Sequence, residues 1–180
     1  MNKAIFIDRD GVINQLVSRD GGKYSPRLLT DFQIFPFVSG AIKQIREAGY
    51  LAVVVTNQPD ISRGHLSERD LTNMHQLLKK ECEPDAIYIC PHDSSDECQC
   101  RKPRPGMLLQ AALDLSIELK NSWIIGDRKS DIDAGLAAGV RTVFITSGQD
   151  DARPTGSLHS AENLEQAINF IMSNSAPDAR

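Results

Sequence analysis

Asp8 and Asp10, in Asp8-Arg9-Asp10-Gly11, follow the short apolar run Ala4–Ile7. Two carboxylates two residues apart at a strand end repel each other unless a cation or shared proton compensates. The same residues could equally be a turn with a helix-capping aspartate. A second acidic pair, Asp127 and Asp131, follows Trp123–Ile125 and Gly126. If both pairs reach one sheet edge, the carboxylates gathered there call for a hard divalent cation, and oxygen ligands suit Mg2+. Asp131 could also cap the helix beginning at Ile132, a role compatible with the first. Thr56 and Asn57, with Gln58 behind them, close the apolar run Leu51–Val55 and alone read as an ordinary polar strand end. Lys102 could be a solvated surface charge, but its neighbours Cys100 and Pro103 stiffen it, which suits an ammonium aimed at a phosphate.

Cys90, His92, Cys98 and Cys100 supply three thiolates and one imidazole within eleven positions. That is a closed tetrahedral set of the kind that holds structural Zn2+, with no coordination position left for chemistry. An iron–sulfur centre suits so compact a loop less well. Cys98 and Cys100 are too near in sequence to pair comfortably, and Cys82, upstream on a helix, reads as a packing residue or a spare thiol.

These residues need a scaffold. Ala4–Ile7, Leu51–Val55, Ala86–Ile89, Trp123–Ile125 and Thr142–Ile145 read as strands, and Phe37–Ala48, Glu68–Lys80, Met107–Leu119, Asp131–Ala138 and Ala161–Met172 as helices. Ser67 with Asp70 marks a helix start, and Gly49 and Gly139 sit where helices end. The alternation implies an α/β fold, a parallel sheet with helices on both faces. Runs such as Leu51–Val55 and Ala86–Ile89 fit strands buried on both sides. In such sheets the ligand site lies beyond the carboxyl ends of the strands, where Asp8, Thr56, the Cys/His loop and Asp127 all fall. One domain is expected over 1–180: a core over 3–147, a turn-rich loop and helix over 148–173, and a frayed tail over 174–180.

Composition sets outer limits. The 180 residues are 41% hydrophobic and 24% charged, ordinary for a globular protein. A formal net charge of −4 argues against nucleic acid as a partner. No apolar run approaches the ~20 residues of a membrane span, and the N-terminal apolar stretch is too short for a signal peptide. The chain is expected in the cytoplasm, where a cysteine cluster reads as a metal site and not as disulfides. It is expected to be a monomer with no membrane partner.

Four ordered motifs resemble the haloacid-dehalogenase phosphatases: Ala4–Gly11, the strand ending Val-Val-Val-Thr56, Lys102, and Gly126–Asp131. The resemblance implies that Asp8 is the nucleophile and Asp10 the general acid and base. It implies that Thr56 and Lys102 stabilise the phosphoryl oxygens. It further implies Mg2+ held by Asp8, Asp127 and the Asp10 carbonyl, with Asp131 orienting the metal's ligands from behind. There is no room for a large cap domain, so short inserts must wall the cleft and the substrate is a small phosphorylated metabolite.

Asp8-Arg9-Asp10-Gly11, Asn57-Gln58 and the Cys/His loop running into Cys100-Arg101-Lys102-Pro103 resemble one group within that family. Its members act on heptose 1,7-bisphosphate or histidinol phosphate. The implied activity is removal of the C7 phosphate of the heptose, in synthesis of nucleotide-activated heptose for lipopolysaccharide. Histidinol-phosphate hydrolysis, in histidine synthesis, is the alternative with the same chemistry. By the same resemblance Asn57, Gln58, Arg101 and the loop Arg19–Tyr24 contact substrate. A bisphosphate also wants extra cations, for which Arg63, Arg101 and Arg104 are candidates, though each could be a solvated charge. Two departures bear on specificity: Pro59-Asp60 stands where the heptose enzymes tend to have Ser-Gly, and Leu16–Ser25 does not match their first loop. The non-enzyme alternative is an idle, zinc-stabilised interaction protein, whose signature would be loss of Asp8, Asp10 or Lys102; all three are present.

Overall fold

The computed structural model describes residues 1–146 and 153–174. Expectations for the loop at 147–152 and the tail at 175–180 lie outside the described residues. In chain order the elements are β1 (Lys3–Ile7), β2 (Val17–Arg19), β3 (Gly22–Tyr24), α1 (Val38–Glu47), β4 (Tyr50–Asn57), α2 (Glu68–Cys82), β5 (Ala86–Cys90), α3 (Gly106–Asp114), β6 (Trp123–Gly126), α4 (Lys129–Ala138), β7 (Arg141–Ile145), β8 (His159–Ala161) and α5 (Leu164–Asn174). Six strands form one parallel sheet in the order β5-β4-β1-β6-β7-β8, with β1 between β4 and β6.

Alternation along the strands builds two cores. Ile5, Ile7, Ala52 and Val54 face α1, α2 and α5, while Ala4, Phe6, Val53 and Val55 face the side covered by α3 and α4. Helix α1 serves the first core because Val38, Ala41, Ile42 and Ile45 recur at helical spacing on one face. Helix α2 begins where expected, with the Ser67 hydroxyl accepting from the Asp70 N–H (3.0 Å). Gly49 and Gly139 adopt φ of 75° and 77° just beyond α1 and α4.

Four expectations needed correction. Ala86–Ile89 is not buried on both sides: β5 is the sheet edge, and Ile89 is 37% exposed. Helix α3 stops at Asp114 instead of Leu119, because Ser116 turns left-handed (φ 52°) and returns Ile117 to the core. His159–Ala161 is a sixth parallel strand, and α5 starts only at Leu164, after the Asn163 side chain accepts from the Gln166 N–H. Leu16–Ser25 contains an antiparallel hairpin, β2–β3, turned by Asp20 and Gly21 at φ 47° and 78°. Two positive-φ residues make the turn that matches strand twist, and Asp-Gly is the sequence signal for it.

Candidate active site at the carboxyl edge of the sheet

The ends of β1, β4 and β6 deliver their polar residues to one place because the three strands are adjacent and parallel. Lys102, reaching in from the loop after the Cys/His segment, sits at the centre. Its Nζ donates to Asp8 Oδ1 (2.6 Å) and to the Val55 carbonyl (2.8 Å), and lies 2.5 Å from Asp131 Oδ1. Helix α4 begins at Lys129 and not at Ile132, so Asp131 lies within its first turn, where Oδ2 accepts from the Arg128 N–H (3.0 Å) while Oδ1 faces the lysine. Asn57 clamps Lys102 from behind: its Nδ2 donates to the Lys102 carbonyl (3.0 Å) and its Oδ1 accepts from the Lys102 N–H (3.1 Å).

Asp10 lies in a different set of bonds. Arg9, fully buried, donates through Nε and Nη2 to Asp10 Oδ1, with Nη2 also reaching Oδ2 (3.0 Å). Asn14 donates to Oδ1 (3.0 Å) and Gln58 to Oδ2 (2.7 Å); the same Gln58 amide nitrogen lies 2.8 Å from Thr56 Oγ1. Burial alone raises the Asp10 pKa, but the Arg9 guanidinium and these donors outweigh it and leave the group below the usual carboxylate range. An ionised Asp10 is ready to accept a proton. To donate one, it must first take up a proton at Oδ2, where the Gln58 donor has to give way while Arg9 and Asn14 keep Oδ1.

Asp8 and Asp127 are shifted the other way. Burial, then Asp131 and Asp10, raise Asp8 to about 7 against the opposing pull of Lys102. Burial, then Asp8 and Asp131, raise Asp127 to about 8. Asp127 Oδ1 is buried with no hydrogen-bond partner, and ligand oxygens of Asp8, Asp127 and Asp131 lie within 4.8 Å of one another. An orphaned buried carboxylate oxygen inside a carboxylate triad fits a hard cation such as Mg2+. Gly11 belongs to this packing: its φ is 90°, and a Cβ there would sit 2.3 Å from Asp127 Oδ2.

The second metal-competent group lies in the loop that follows β5. Cys90 Sγ lies 3.6 Å from both His92 Nδ1 and Cys98 Sγ, while Cys100 Sγ lies 3.3 Å from His92 Nδ1 and 3.5 Å from Cys98 Sγ. A tetrahedral shell with metal bonds of about 2.0–2.3 Å has edges of about 3.3–3.8 Å, so these spacings fit a four-coordinate centre. The sulfurs are too far apart to be disulfides, and all four cysteines are free. Cys82 packs in the core beneath α2 and belongs to neither group.

A cleft of about 560 Å3 opens over Asp8, Asp10 and Lys102. Arg63, Arg101 and Tyr24 line it, as do Asn57 and Gln58, although those two spend the bonds described above on Lys102, Asp10 and Thr56. Arg19 does not line it. Its guanidinium donates to the Ser25 carbonyl (2.9 Å) and lies over the Tyr24 ring, steadying the hairpin. Arg104 is likewise drawn off, donating to the Cys98 carbonyl (2.6 Å). Of two further cleft cations, the sequence reading covered Lys23 only as part of the loop Arg19–Tyr24 and missed Arg128. The available signals were their places beside Tyr24 and Asp127.

A family model described as HAD-hydrolase-like matches residues 99–169, a span holding Lys102, Asp127 and Asp131. The D-glycero-β-D-manno-heptose-1,7-bisphosphate 7-phosphatase of Haemophilus influenzae is 37% identical over 161 residues, covering 83% of this chain and 84% of its own. This chain belongs to the heptose-bisphosphate phosphatase family. The family match extends to an α-anomer enzyme, the D-glycero-α-D-manno-heptose-1,7-bisphosphate 7-phosphatase of Photorhabdus laumondii, 37% identical over 175 residues, 90% of this chain and 92% of its own. A solved D,D-heptose 1,7-bisphosphate phosphatase from B. bronchiseptica, complexed with magnesium and phosphate, superimposes with a TM-score of 0.81 at 27% identity. It covers 95% of this chain and 98% of that one.

For a heptose-bisphosphate phosphatase family member, Pro59-Asp60 was the puzzling departure. Its added charge does not stand alone in the cleft. Arg27 Nε donates to Asp60 Oδ2 (2.6 Å), and Arg63 Nη1 lies 3.6 Å from Asp60 Oδ1 while its Nε and Nη2 bond Asp93. A carboxylate at position 60 is thus matched by cations from two loops. The described residues contain no helix long and apolar enough to cross a membrane.

Proposed function

We propose that this chain hydrolyses the C7 phosphate of D-glycero-D-manno-heptose 1,7-bisphosphate through an aspartyl-phosphate formed on Asp8. The observation carrying the mechanism is the placement of Asp8, buried at the carboxyl edge of the sheet between the Lys102 ammonium and the carboxylates of Asp127 and Asp131. The substrate assignment rests on relatives named as heptose-1,7-bisphosphate 7-phosphatases, of both the β and the α anomer.

The Asp8 carboxylate attacks phosphorus, and the bond from phosphorus to the C7 oxygen breaks. Asp10, still held at Oδ1 by Arg9 and protonated at Oδ2 once Gln58 gives way, donates its proton to the departing alkoxide. It then accepts a proton from the water that attacks the phosphorus, and the bond to Asp8 breaks as inorganic phosphate forms. Lys102 and Thr56 stabilise the charge on the transferring oxygens. Asp8, Asp127 and the Asp10 carbonyl would hold Mg2+, with Asp131 behind them; the ion would supply charge neutralisation for a dianionic substrate. Arg63 and Arg101, with Lys23 and Arg128, give the cleft cations for the second phosphate. Zn2+ in Cys90, His92, Cys98 and Cys100 would organise the cleft wall without taking part in the chemistry. The enzyme would work as a cytoplasmic monomer on a small sugar phosphate.

Steady-state kinetics on heptose 1,7-bisphosphate and histidinol phosphate test the substrate. The expected result is a kcat/KM for the bisphosphate larger by about a hundredfold or more, since an amine and imidazole cannot replace a phosphate among these cations. A preference for histidinol phosphate overturns the assignment. Asp8→Asn, assayed beside the parent, should release no phosphate; undiminished release would remove Asp8 as nucleophile.

A further inference from the structure

His75 lies in the middle of α2, on the buried face formed by Leu71, Met74, Leu78 and Cys82. A histidine on such a stripe is ordinarily core filler with a satisfied ring. Here the ring meets the active site from beneath. Its Nε2 lies 3.0 Å from Arg9 Nη1, and Arg9 is the residue whose other nitrogens hold Asp10. A guanidinium has only donors, so the contact requires Nε2 to be the unprotonated nitrogen of a neutral imidazole. Burial, followed by the charge of Arg9, keeps the ring neutral, with its pKa lowered to about 4.

Resting on the phosphatase reading above, we infer that His75 is a positioning residue for the hydrolysis, fixing the orientation of the Arg9 guanidinium that holds the Asp10 carboxylate. Three observations carry this. Arg9 is fully buried, so no solvent competes for its N–H groups. The Phe32 ring lies 5.3 Å beneath the guanidinium carbon and limits how the plane can tilt. The imidazole takes the one nitrogen not committed to Asp10, which sets the remaining rotation in that plane. Remove the acceptor, and a buried guanidinium N–H is left unpaired, with nothing to set the rotation of the fork in its plane. The fork then turns, and the carboxylate turns with it. Because Asp10 moves protons in both chemical steps and does not bind the sugar, the loss should fall on kcat and spare KM.

The experiment compares His75→Gln, whose side-chain oxygen can still accept from Arg9, with His75→Met, which is apolar and flexible enough to fill the space. His75→Asn, polar but too short to reach, is run beside them in case the apolar variant folds poorly. Activity is measured on the heptose bisphosphate and on p-nitrophenyl phosphate, normalised to the folded fraction by circular dichroism. The expected outcome is a kcat lowered about tenfold in His75→Met and His75→Asn, KM changed less than about twofold, and substantial rescue in His75→Gln. If both non-accepting variants keep kcat within about twofold of the parent per folded molecule, His75 is core filler and the inference fails. If His75→Gln loses as much as the other two, the acceptor is not what matters, and the inference fails likewise. A parent that hydrolyses p-nitrophenyl phosphate but not the bisphosphate would overturn the substrate reading alone, and the comparison among variants would still decide the role of His75.

Discussion

Asn57 can be read in two ways, and one substitution separates them. The resemblance assigns it to substrate, whereas its amide is occupied on both sides by the main chain of Lys102, through bonds of 3.0 and 3.1 Å. Asn57→Ala removes both. At about 1 kcal/mol net per hydrogen bond, the loss of stability is about 2 kcal/mol. For a chain of this size, that lowers Tm by roughly 4–8 °C. The kinetic effect is larger than the stability effect suggests, because the clamp fixes the backbone under the ammonium proposed above to meet a phosphoryl oxygen. A misplacement of about 1 Å at such a position costs up to about a hundredfold in rate. Differential scanning fluorimetry gives the first number, and steady-state kinetics in Mg2+ the second. If Asn57 holds Lys102, kcat falls about ten- to a hundredfold while KM moves little. A raised KM with unchanged kcat would show that the side chain binds sugar, and the clamp argument would be wrong.

Gly11→Ala should cost about 1–3 kcal/mol, because a left-handed φ is imposed on alanine while its Cβ pushes on Asp127; urea denaturation reads the loss, and a variant as stable as the parent would deny the close packing. A strong chelator such as phenanthroline should lower Tm and release about one zinc per chain, since binding at the Cys/His group is coupled to folding; metal-free protein at full stability would remove zinc from the account. Acid should weaken the fold through His75. Its folded pKa, near 4, lies below the ordinary 6.5, so the unfolded chain takes up the proton first and stability falls as pH drops from about 6.5 to about 4. The loss is at most roughly 3 kcal/mol, and it should shrink in His75→Gln; an unchanged pH dependence in that variant would place the acid sensitivity elsewhere.

What could be read from the sequence follows the range of the physics. The strands of the sheet centre and the helices α1, α2 and α4 were legible because burial on one or both faces imposes a period, and periods are local. The edge was less so: Ile87 and Ile89 look like buried strand until the sheet order leaves β5 with one neighbour. His159–Ala161 has no strand period at all and owes its conformation to β7 beside it. At the site, Asp8, Thr56, Lys102 and Asp127 could be named because they fall in order on motifs that resemble those of a known family. What each one touches could not. That Asn57 and Gln58 turn inward to Lys102 and Asp10, that Arg19 is spent on the hairpin, and that Asp60 is matched by Arg27 are facts of three-dimensional approach between distant loops. Asp20-Gly21 was the exception, a local signal for a turn that was present and passed over.

The central place of β1 has a consequence for how the molecule assembles. The strand that leads to Asp8 is the earliest of the sheet in sequence, yet it pairs with Tyr50–Val54 on one side and with Trp123–Ile125 on the other. Between synthesis of Ile7 and that of Ile125, one edge of β1 has no native partner. Bringing such distant segments together costs loop-closure entropy before any contact repays it, which slows folding and leaves apolar strand edges open to other chains. A nascent chain arrested after Cys90 would hold Asp8 and Thr56 but neither Lys102 nor Asp127. A complete set of site residues and escape from aggregation therefore arrive together, late, when β6 slots in beside β1.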